Sequence, residues 1–559
     1  MNKYIINKIW LIVLIIFLSG CQDDFLEVPV LVDQTAENFD PATAVTAAYN
    51  ISINATAGSY PNIRWFNWQT FLQGDAISDD AFKSGSGFND QPGLRALELF
   101  QANSGNEQSE NFWRSQYIKI YYMNYALTGI RANRTISEDL RNRYIAEVKF
   151  LRALNYFMLN RVYGGVVPIF DLGADSETPR ASEEAIYRRI EEDLKIAISH
   201  LPEKSEYPLS DLGRVTKGAA RGLLAKVYLY QQKNQECFDM CREIIESNEY
   251  QLEGDFADLW KRGLPDDRRN EHGVESLFEF THAPNPERSN PSEFARAQRS
   301  RMVSLGASTG WGLNNPTLDL LDQFETGDPR IVSTFMFNGD SILDPEGEEM
   351  LVIDAGFQSP SNEHFMLNQK VHRKLTDNAI HSDEQGENLI ILRYADVLLM
   401  YAEAANELGN TGEALAKLNM VRQRARNSIR TDYRREYINF NGTIPYAGPE
   451  RTYLDYDWNA VDPATILPDI TGGSREEIRH AIWNERRVEF ALEGERFYDL
   501  VRQGRVEPNR AGNVMRAFGE KWDNEKGRFF EDGKHELFPI PQAEIDLLGT
   551  QLMPQNPGY

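Results

Sequence analysis

The apolar residues of this chain recur with a helical period, in pairs of segments separated by short polar turns. Over 143–157, apolar or small side chains follow one another at spacings of three and four, as an amphipathic helix requires. A second helix is predicted over 182–202, with Ser182 at its start. Segments 216–230 and 235–246 follow, joined by a short polar turn. This rhythm is typical of tetratricopeptide-type helical hairpins and predicts a mainly α fold.

The same pattern returns near the C-terminus. Segments 392–408 and 411–425 form a further predicted hairpin, and a last long helix is predicted from Ser474 to about Gln503. Ser474 and Glu477 have the spacing of a capping box, in which two side chains bond reciprocally to backbone N–H groups at the start of a helix.

Turn-forming residues separate these two helical regions. Gly and Pro are concentrated in the middle of the chain, and 439–473 is a second irregular stretch rich in Gly, Pro, Tyr and Trp. We predict an N-terminal helical part over 21–250 and a loop-rich C-terminal part over 251–559, whose helices near 392–425 and 474–503 complete the scaffold. Long irregular segments set into a regular scaffold commonly hold the functional residues.

The first 20 residues have the order of a secretory signal. Lys3 and Lys8 precede an apolar run over 9–18, and two small residues follow it before Cys21. A transmembrane helix needs about 20 apolar residues, so the run is too short to span a bilayer. We therefore predict a signal peptide over 1–20 that is removed by cleavage.

The residues around Cys21 predict a lipid anchor. The sequence LSGC resembles the lipobox of bacterial lipoproteins, which implies that Cys21 becomes the first mature residue and carries acyl chains. The sequence QDD that follows resembles the acidic tag of surface-exposed lipoproteins of the Bacteroidetes. We expect a protein anchored by lipid in the outer membrane and exposed at the cell surface. The competing interpretation is an ordinary secretory signal followed by an incidental cysteine.

Composition narrows the class of partner. The chain has 559 residues, 41% of them hydrophobic, which is enough for one large core or two fused ones. Its formal net charge is −25, and an acidic surface of this size repels phosphate backbones. We therefore expect no nucleic-acid partner, and a neutral ligand rather than an anionic one.

Neither the cysteines nor the acidic residues predict a metal site or a cofactor. Cys237 and Cys241 lie four apart on one helical face, where a disulfide is awkward and two thiols are too few for structural zinc. We expect both to be buried small hydrophobic residues. The acidic stretch 74–80 lacks the ligand pattern of an EF-hand loop, and helix capping by Ser78 or Asp79 is the simpler interpretation.

Several strings in the C-terminal half resemble one family. They are LRYADVLLMYAEA at 392–404, ERRVEF at 485–490, EGERFYDL at 493–500, PIP at 539–541 and QNPGY at 555–559. With these strings in this order behind a lipobox, the chain resembles the SusD/RagB family of nutrient-binding outer-membrane lipoproteins over essentially its whole length.

This resemblance implies a fold and a function. It implies an α-helical body of about four tetratricopeptide-like units with a looped C-terminal part packed against it. It also implies a SusC-like TonB-dependent β-barrel transporter as partner, on which the protein acts as a lid that captures a glycan or related nutrient and delivers it. Two alternatives stay open: a helical scaffold subunit without a ligand of its own, and a binder of peptides or glycopeptides.

The charged residues of these strings suggest structure rather than catalysis. Carboxylates and guanidinium groups alternate, with Glu485, Glu489, Glu493 and Glu495 beside Arg486, Arg487 and Arg496. A glycosidase needs two carboxyl groups about 5 to 10 Å apart across the sugar. Spacings of three and four instead pair opposite charges along a helix, so we expect an ion-paired scaffold and no enzyme.

Aromatic clusters are the better candidates for ligand binding, because sugar C–H groups stack on aromatic rings while nearby polar groups bond to hydroxyls. The sequence contains three such clusters, in 60–69, in 310–315 and in 446–458. The candidate substrate-binding residues are Trp65, Trp68, Trp311, Asn314, Tyr446 and Trp458.

Each cluster has a structural alternative. Trp65 and Trp68 are three apart, a spacing that slightly favours one buried helical stripe over a binding platform. Trp311 stands in Gly-Trp-Gly, but its surroundings also resemble a family motif, which favours a structural role. The cluster in 446–458 fits a contact with the transporter, since aromatic residues are enriched at protein interfaces.

Overall fold

The computed structural model describes most of the chain beyond its N-terminal region. The described residues are 39–53, 74–87, 89–175, 177–260, 272–282, 297–298, 310–337, 340–343, 349–352, 366–371, 388–428, 438–439 and 462–559. Within these ranges, no helix combines the length and the apolar character that a membrane span requires.

Helices make up the body of the protein. They are α1 (Pro41–Ile53), α2 (Pro92–Glu98), α3 (Glu107–Ala132), α4 (Glu138–Tyr163), α5 (Glu183–His200), α6 (Lys217–Tyr230), α7 (Asn234–Ser247), α8 (Leu318–Leu321), α9 (Ile331–Thr334), α10 (Tyr394–Glu407), α11 (Thr411–Asn427), α12 (Arg475–Glu489), α13 (Arg496–Gln503), α14 (Arg510–Trp522) and α15 (Gln542–Leu552).

The long helices pack in pairs. Helix α3 packs on α4 and α4 on α5, while α6 with α7 and α10 with α11 form hairpins across short turns. Helix α10 also packs on α7 and α12, so helices from both ends of the chain share one hydrophobic core. The predicted mainly α fold of helical hairpins is confirmed, and the predicted boundary at residue 250 stays a prediction.

Local capping signals set several helix starts. The Ser182 hydroxyl accepts a hydrogen bond from the N–H of Ala185 at the start of α5, and Thr216 caps α6 in the same way. Ser474 and Glu477 form the complete capping box at the start of α12. Since each cap satisfies backbone donors that the helix itself leaves unpaired, these starts follow from the local sequence.

Two predicted helix boundaries are wrong. The long helix from Ser474 ends at Glu489, because the chain turns through Leu492 at φ 63° and Gly494 at φ 85° before α13 begins. The helix predicted from residue 392 begins at Tyr394, because the preceding residues form a strand. In both places, pairing with a distant segment overrides the helical period.

Short strands connect the helices. They are β1 (Ala81–Ser84), β2 (Ser276–Phe280), β3 (Leu313–Pro316), β4 (Phe335–Phe337), β5 (Ser341–Leu343), β6 (Glu349–Val352), β7 (Met366–Asn368), β8 (Leu389–Arg393) and β9 (Ile438–Asn439). Antiparallel pairs join β1 to β3, β2 to β8 and β4 to β7, and β5 lies between β6 and β9.

Both cysteines of α7 lie in the main core. Cys237 and Cys241 are free thiols with no exposed surface, so the prediction that they are buried small residues is confirmed. Burial raises the pKa of the Cys241 thiol well above its ordinary value, and the neighbouring Cys237 raises it further. A neutral thiol in such a place packs as an apolar group.

Candidate functional site

The structure describes one of the three predicted aromatic clusters. Trp311 and Asn314 lie where the chain enters β3. The other predicted site residues, Cys21, Trp65, Trp68, Tyr446 and Trp458, lie outside the described residues.

Trp311 lies in a tight loop at the end of a two-stranded sheet. The β1 and β3 strands pair antiparallel, with Ser84 opposite Leu313, and the Gly85 N–H donates to the Gly312 carbonyl at 2.8 Å. Trp311 is partly buried and packs against Ala297 and Leu313. The loop therefore holds a large aromatic side chain at the surface on a backbone fixed by strand pairing.

Asn314 is buried behind this loop. Its side chain is 1% exposed, and its Nδ2 donates to Gln298 Oε1 at 2.8 Å and to Asp75 Oδ2 at 3.2 Å. Asn368 Nδ2 donates to the same Gln298 oxygen at 2.8 Å. Direct ligand contact by Asn314 does not fit this burial, because its amide is committed to protein groups.

Asp75 joins this cluster to the turn between α12 and α13. Its Oδ2 also accepts from the Gly494 N–H at 2.9 Å. The preceding Gly74 approaches so closely that a Cβ there would lie 1.8 Å from the Gly494 carbonyl oxygen, which only glycine allows. Burial raises the pKa of the Asp75 carboxyl well above its ordinary value, and the nearby charge of Asp80 raises it further.

The acidic stretch around Asp79 pairs with arginines instead of capping a helix. Arg496 Nε donates to Asp79 Oδ1 at 2.8 Å, and Arg487 Nε donates to Asp80 Oδ1 at 2.7 Å. Burial opposes ionisation of Asp79, but Arg487 and Arg496 outweigh it and hold its pKa below the usual range. The predicted capping role of Ser78 and Asp79 is wrong, since no helix among the described residues begins there.

Two buried lysines hold the backbone of the same segment. Lys83 Nζ donates to the carbonyls of Ser84 at 2.8 Å and Gly87 at 3.1 Å. Lys526 Nζ donates to the Ala76 carbonyl at 2.8 Å, and burial lowers the pKa of its ammonium to about 8. Carbonyl oxygens that a loop would otherwise leave unpaired are thereby satisfied.

The remaining charged residues of the family-like strings are buried and paired across elements. Glu485 Oε1 accepts from Arg330 at 2.6 Å, and Glu489 accepts from Arg393 at 2.6 Å and from Arg330 at 3.0 Å. Arg424 bonds to Glu489 as well. The ion-paired scaffold is confirmed, but the prediction that the pairs run along one helix is wrong.

These ion pairs occupy the carboxyl groups that acid–base catalysis would need. Glu489 has no exposed surface and Glu485 is 4% exposed. Burial opposes ionisation of Glu489, but its arginine neighbours outweigh it and hold its pKa below the usual range. A catalytic acid needs access to the substrate, and burial denies it to both carboxylates.

Sequence reasoning missed Asp75, Gln298 and Asn368, which surround Asn314. They are single polar residues distant in sequence, and no spacing rule connects them. The one local signal is the pair Asn314-Asn315 beside a strand, because asparagine tolerates the positive φ of 58° that Asn314 adopts.

Two family models match this chain, one in its N-terminal part and one in its C-terminal part. A family model described as "Starch-binding associating with outer membrane" matches residues 34–229, and one described as "SusD family" matches residues 306–559. A SusD-like protein of Formosa agariphila is 26% identical, with the whole length of both chains covered.

Solved structures have the same fold. A SusD homolog from Bacteroides thetaiotaomicron has a TM-score of 0.70 at 23% identity, over 95% of this chain and 98% of that one. A structure described as a laminarin binding SusD-like protein has a TM-score of 0.66 at 26% identity, over 93% of this chain and 99% of that one. The chain belongs to the SusD/RagB family.

Proposed function

We propose that this protein is a surface lipoprotein that binds glycan without covalent chemistry and passes it to a SusC-like TonB-dependent transporter. In this proposal, acyl chains on Cys21 hold the body at the outer membrane. The description of the matched N-terminal family model and the laminarin-binding relative support this reading. A β-glucan such as laminarin is therefore the first ligand to test.

The observation that carries the proposal is the setting of Trp311. An indole ring offers a flat apolar face to the C–H groups of a sugar and an N–H at its edge. Trp311 stays partly exposed although the strand pair beside it is firmly bonded. A rigid, partly exposed aromatic residue of this kind suits sugar stacking, since little entropy is lost when ligand binds.

Binding without turnover is the second element of the proposal. Glycoside hydrolysis needs one carboxyl group that protonates the leaving oxygen and a second one facing the sugar. Glu485 and Glu489 each bond to buried arginines, and Asp79 bonds to Arg487 and Arg496. These carboxylates have no free oxygen facing solvent that could do such work.

Isothermal titration calorimetry with laminarin tests the binding site. We expect saturable binding by the wild-type chain and about tenfold weaker binding by Trp311→Ala, the size of a stacking contact. Tyr121→Ala is the matched control, because Tyr121 is an exposed aromatic residue on α3. Equal affinities for the two variants would remove Trp311 from the site.

Three further measurements test the remaining elements of the proposal. Reducing ends in the laminarin mixture should stay constant, whereas an increase would show hydrolysis. Cys21→Ala should release the protein from the outer membrane, and purification of the wild type from membranes should recover a β-barrel transporter. If the transporter is recovered but no glycan from a broad panel binds, the scaffold alternative replaces glycan capture.

A further inference from the structure

Two of the three residues that follow Trp311 have left-handed backbone angles. Gly312 has φ 66° and Asn314 has φ 58°. Glycine adopts such angles freely, whereas asparagine adopts them at a cost that hydrogen bonds of its side chain can offset. The Asn314 side chain is buried and makes such hydrogen bonds.

Asp75 and Gln298 bond to Asn314, and Asn368 bonds to Gln298; we name these four side chains the Asn314 bracket. The Asn314 amide joins Asp75 at 3.2 Å to Gln298 at 2.8 Å, and Asn368 joins the same Gln298 oxygen at 2.8 Å. All four side chains are at most 2% exposed. The bracket thus connects the Trp311 loop to three other segments of the chain.

The bracket carries an energetic cost of its own. Asp75 Oδ1 and Asn314 Oδ1 are buried and accept no hydrogen bond within the described chain. A buried oxygen that accepts no hydrogen bond has lost its bonds to water without replacement, which destabilises the fold. An apolar cluster of the same shape would avoid these costs, so fold stability alone does not account for the arrangement.

The partners of Asp75 fix the position of the bracket. Gly494 donates to Asp75 in the turn between α12 and α13, and Gly74 lies against the Gly494 carbonyl. Arg487 and Arg496 hold the following residues Asp79 and Asp80. These bonds fix the position of the Trp311 loop relative to the helical scaffold as well as to its own strand.

We propose that Asn314 and Asp75 are positioning residues for ligand capture, which act through Trp311 by fixing the backbone turn that presents its ring. This role rests on the proposed glycan binding at Trp311. Neither residue touches the ligand. Their removal should weaken binding only as long as the Trp311 ring is present.

A double-mutant cycle tests this dependence by calorimetry with laminarin. Asn314→Gly keeps the left-handed backbone accessible and removes the amide, and we expect about fivefold weaker binding. In the Trp311→Ala background the same change should have no further effect. An effect of equal size in both backgrounds would overturn the proposal, because Asn314 would then influence binding independently of the Trp311 ring.

A control variant separates positioning from general destabilisation. Asn124 on α3 is also buried, 2% exposed, and donates to the Ile169 carbonyl at 3.0 Å. Asn124→Ala should lower the melting temperature without changing the affinity for laminarin. If Asn124→Ala weakens binding as much as Asn314→Gly does, positioning is excluded.

A ligand-free readout distinguishes failure of the bracket from failure of glycan binding. In protein labelled with 5-fluorotryptophan, the resonance missing from Trp311→Phe identifies Trp311. Asn314→Gly and Asp75→Ala should shift or broaden this resonance without ligand, and an unchanged resonance contradicts positioning even if laminarin binds. If the resonance shifts but the wild type binds no glycan, the bracket positions the ring while the ligand part is wrong.

Discussion

Arg487 Nε lies 2.7 Å from Asp80 Oδ1, although the two residues are 407 positions apart in the sequence. Arg487 also lies 2.8 Å from Asp79 and 3.0 Å from Asp319, and all four side chains are largely buried. One guanidinium group therefore joins the segment before β1, the start of α8 and helix α12. The fold holds its distant parts together through charges in its interior.

Removing this guanidinium should destabilise the protein strongly. Arg487→Met leaves Asp79 and Asp80 buried with less compensation, and breaking such a site costs about 3–5 kcal/mol. Urea denaturation measures the change in the free energy of unfolding. Arg189→Met is the control, because its pair with Glu192 is exposed and contributes at most about 1 kcal/mol. Similar losses for the two variants would contradict the role assigned to burial.

Glu489→Gln should destabilise the protein in a manner that depends on pH. The folded-state pKa of Glu489 lies below its ordinary 4.5 because its arginine partners outweigh burial. Its stabilisation is therefore fully present above about pH 4.5 and is lost as the pH falls further. We expect a loss of about 3–5 kcal/mol at neutral pH that shrinks in acid. A difference between variant and wild type that stays constant from neutral pH into acid would contradict this sign.

Lys119 on α3 should lower stability at neutral pH. Its side chain is 4% exposed, no carboxylate among the described residues pairs with it, and burial lowers the pKa of its ammonium to about 7 from 10.5. Between these values the unfolded chain binds more protons, so stability rises with pH. The penalty is fully present below about pH 7 and disappears towards pH 10.5.

Lys119→Met therefore should raise the free energy of unfolding by roughly 2–5 kcal/mol near pH 6, and by little near pH 10. Urea titrations at both pH values measure this. Lys195→Met is the control, since the Lys195 side chain is 57% exposed. A gain of equal size at both pH values would show that packing, not charge, is the cause.

The C-terminal residues should be needed for stability through Arg180. This arginine donates to the Tyr163 carbonyl at 2.7 Å and the Pro554 carbonyl at 2.8 Å, and Asn556 Nδ2 also donates to Tyr163 at 3.0 Å. Deletion of 554–559 removes the Pro554 carbonyl from Arg180 and the Asn556 amide from the Tyr163 carbonyl, so that Arg180 alone remains bonded to the end of α4. We expect a loss of about 2–4 kcal/mol, measured by thermal unfolding. Deleting only Tyr559 is the control and should cost less.

Local signals in the sequence predict the helices that carry them. The predicted bounds of α5 and α6 agree with the structure to within one or two residues, because Ser182 and Thr216 cap these helices and their apolar periods are regular. Helix α3 was missed. Its buried face includes the polar residues Gln116 and Lys119, so its sequence lacks a clear apolar period. The sequence therefore does not predict that this helix packs on α1 and α4.

Distant contacts are what the sequence did not reveal. The chain leaves the helical path after Glu489, where Glu493 bonds to Arg393 and Lys370, which lie 100 and 123 positions earlier. At the candidate site, Gly-Trp-Gly pointed to Trp311 correctly as a loop residue. The burial of Asn314 depends on Asp75 and Gln298. Both are distant from it in the sequence, and no local pattern predicts that they lie beside it.

The pairing of Asp79 and Asp80 with Arg487 and Arg496 has a consequence for the order of folding. A growing chain emerges from the ribosome N-terminus first, so these carboxylates appear long before the arginines that neutralise them. Until those arginines arrive, the residues around β1 cannot be buried without an unpaired charge. The segment around β1 must therefore stay unburied, and in need of protection from aggregation, until almost the entire remainder of the chain has been made.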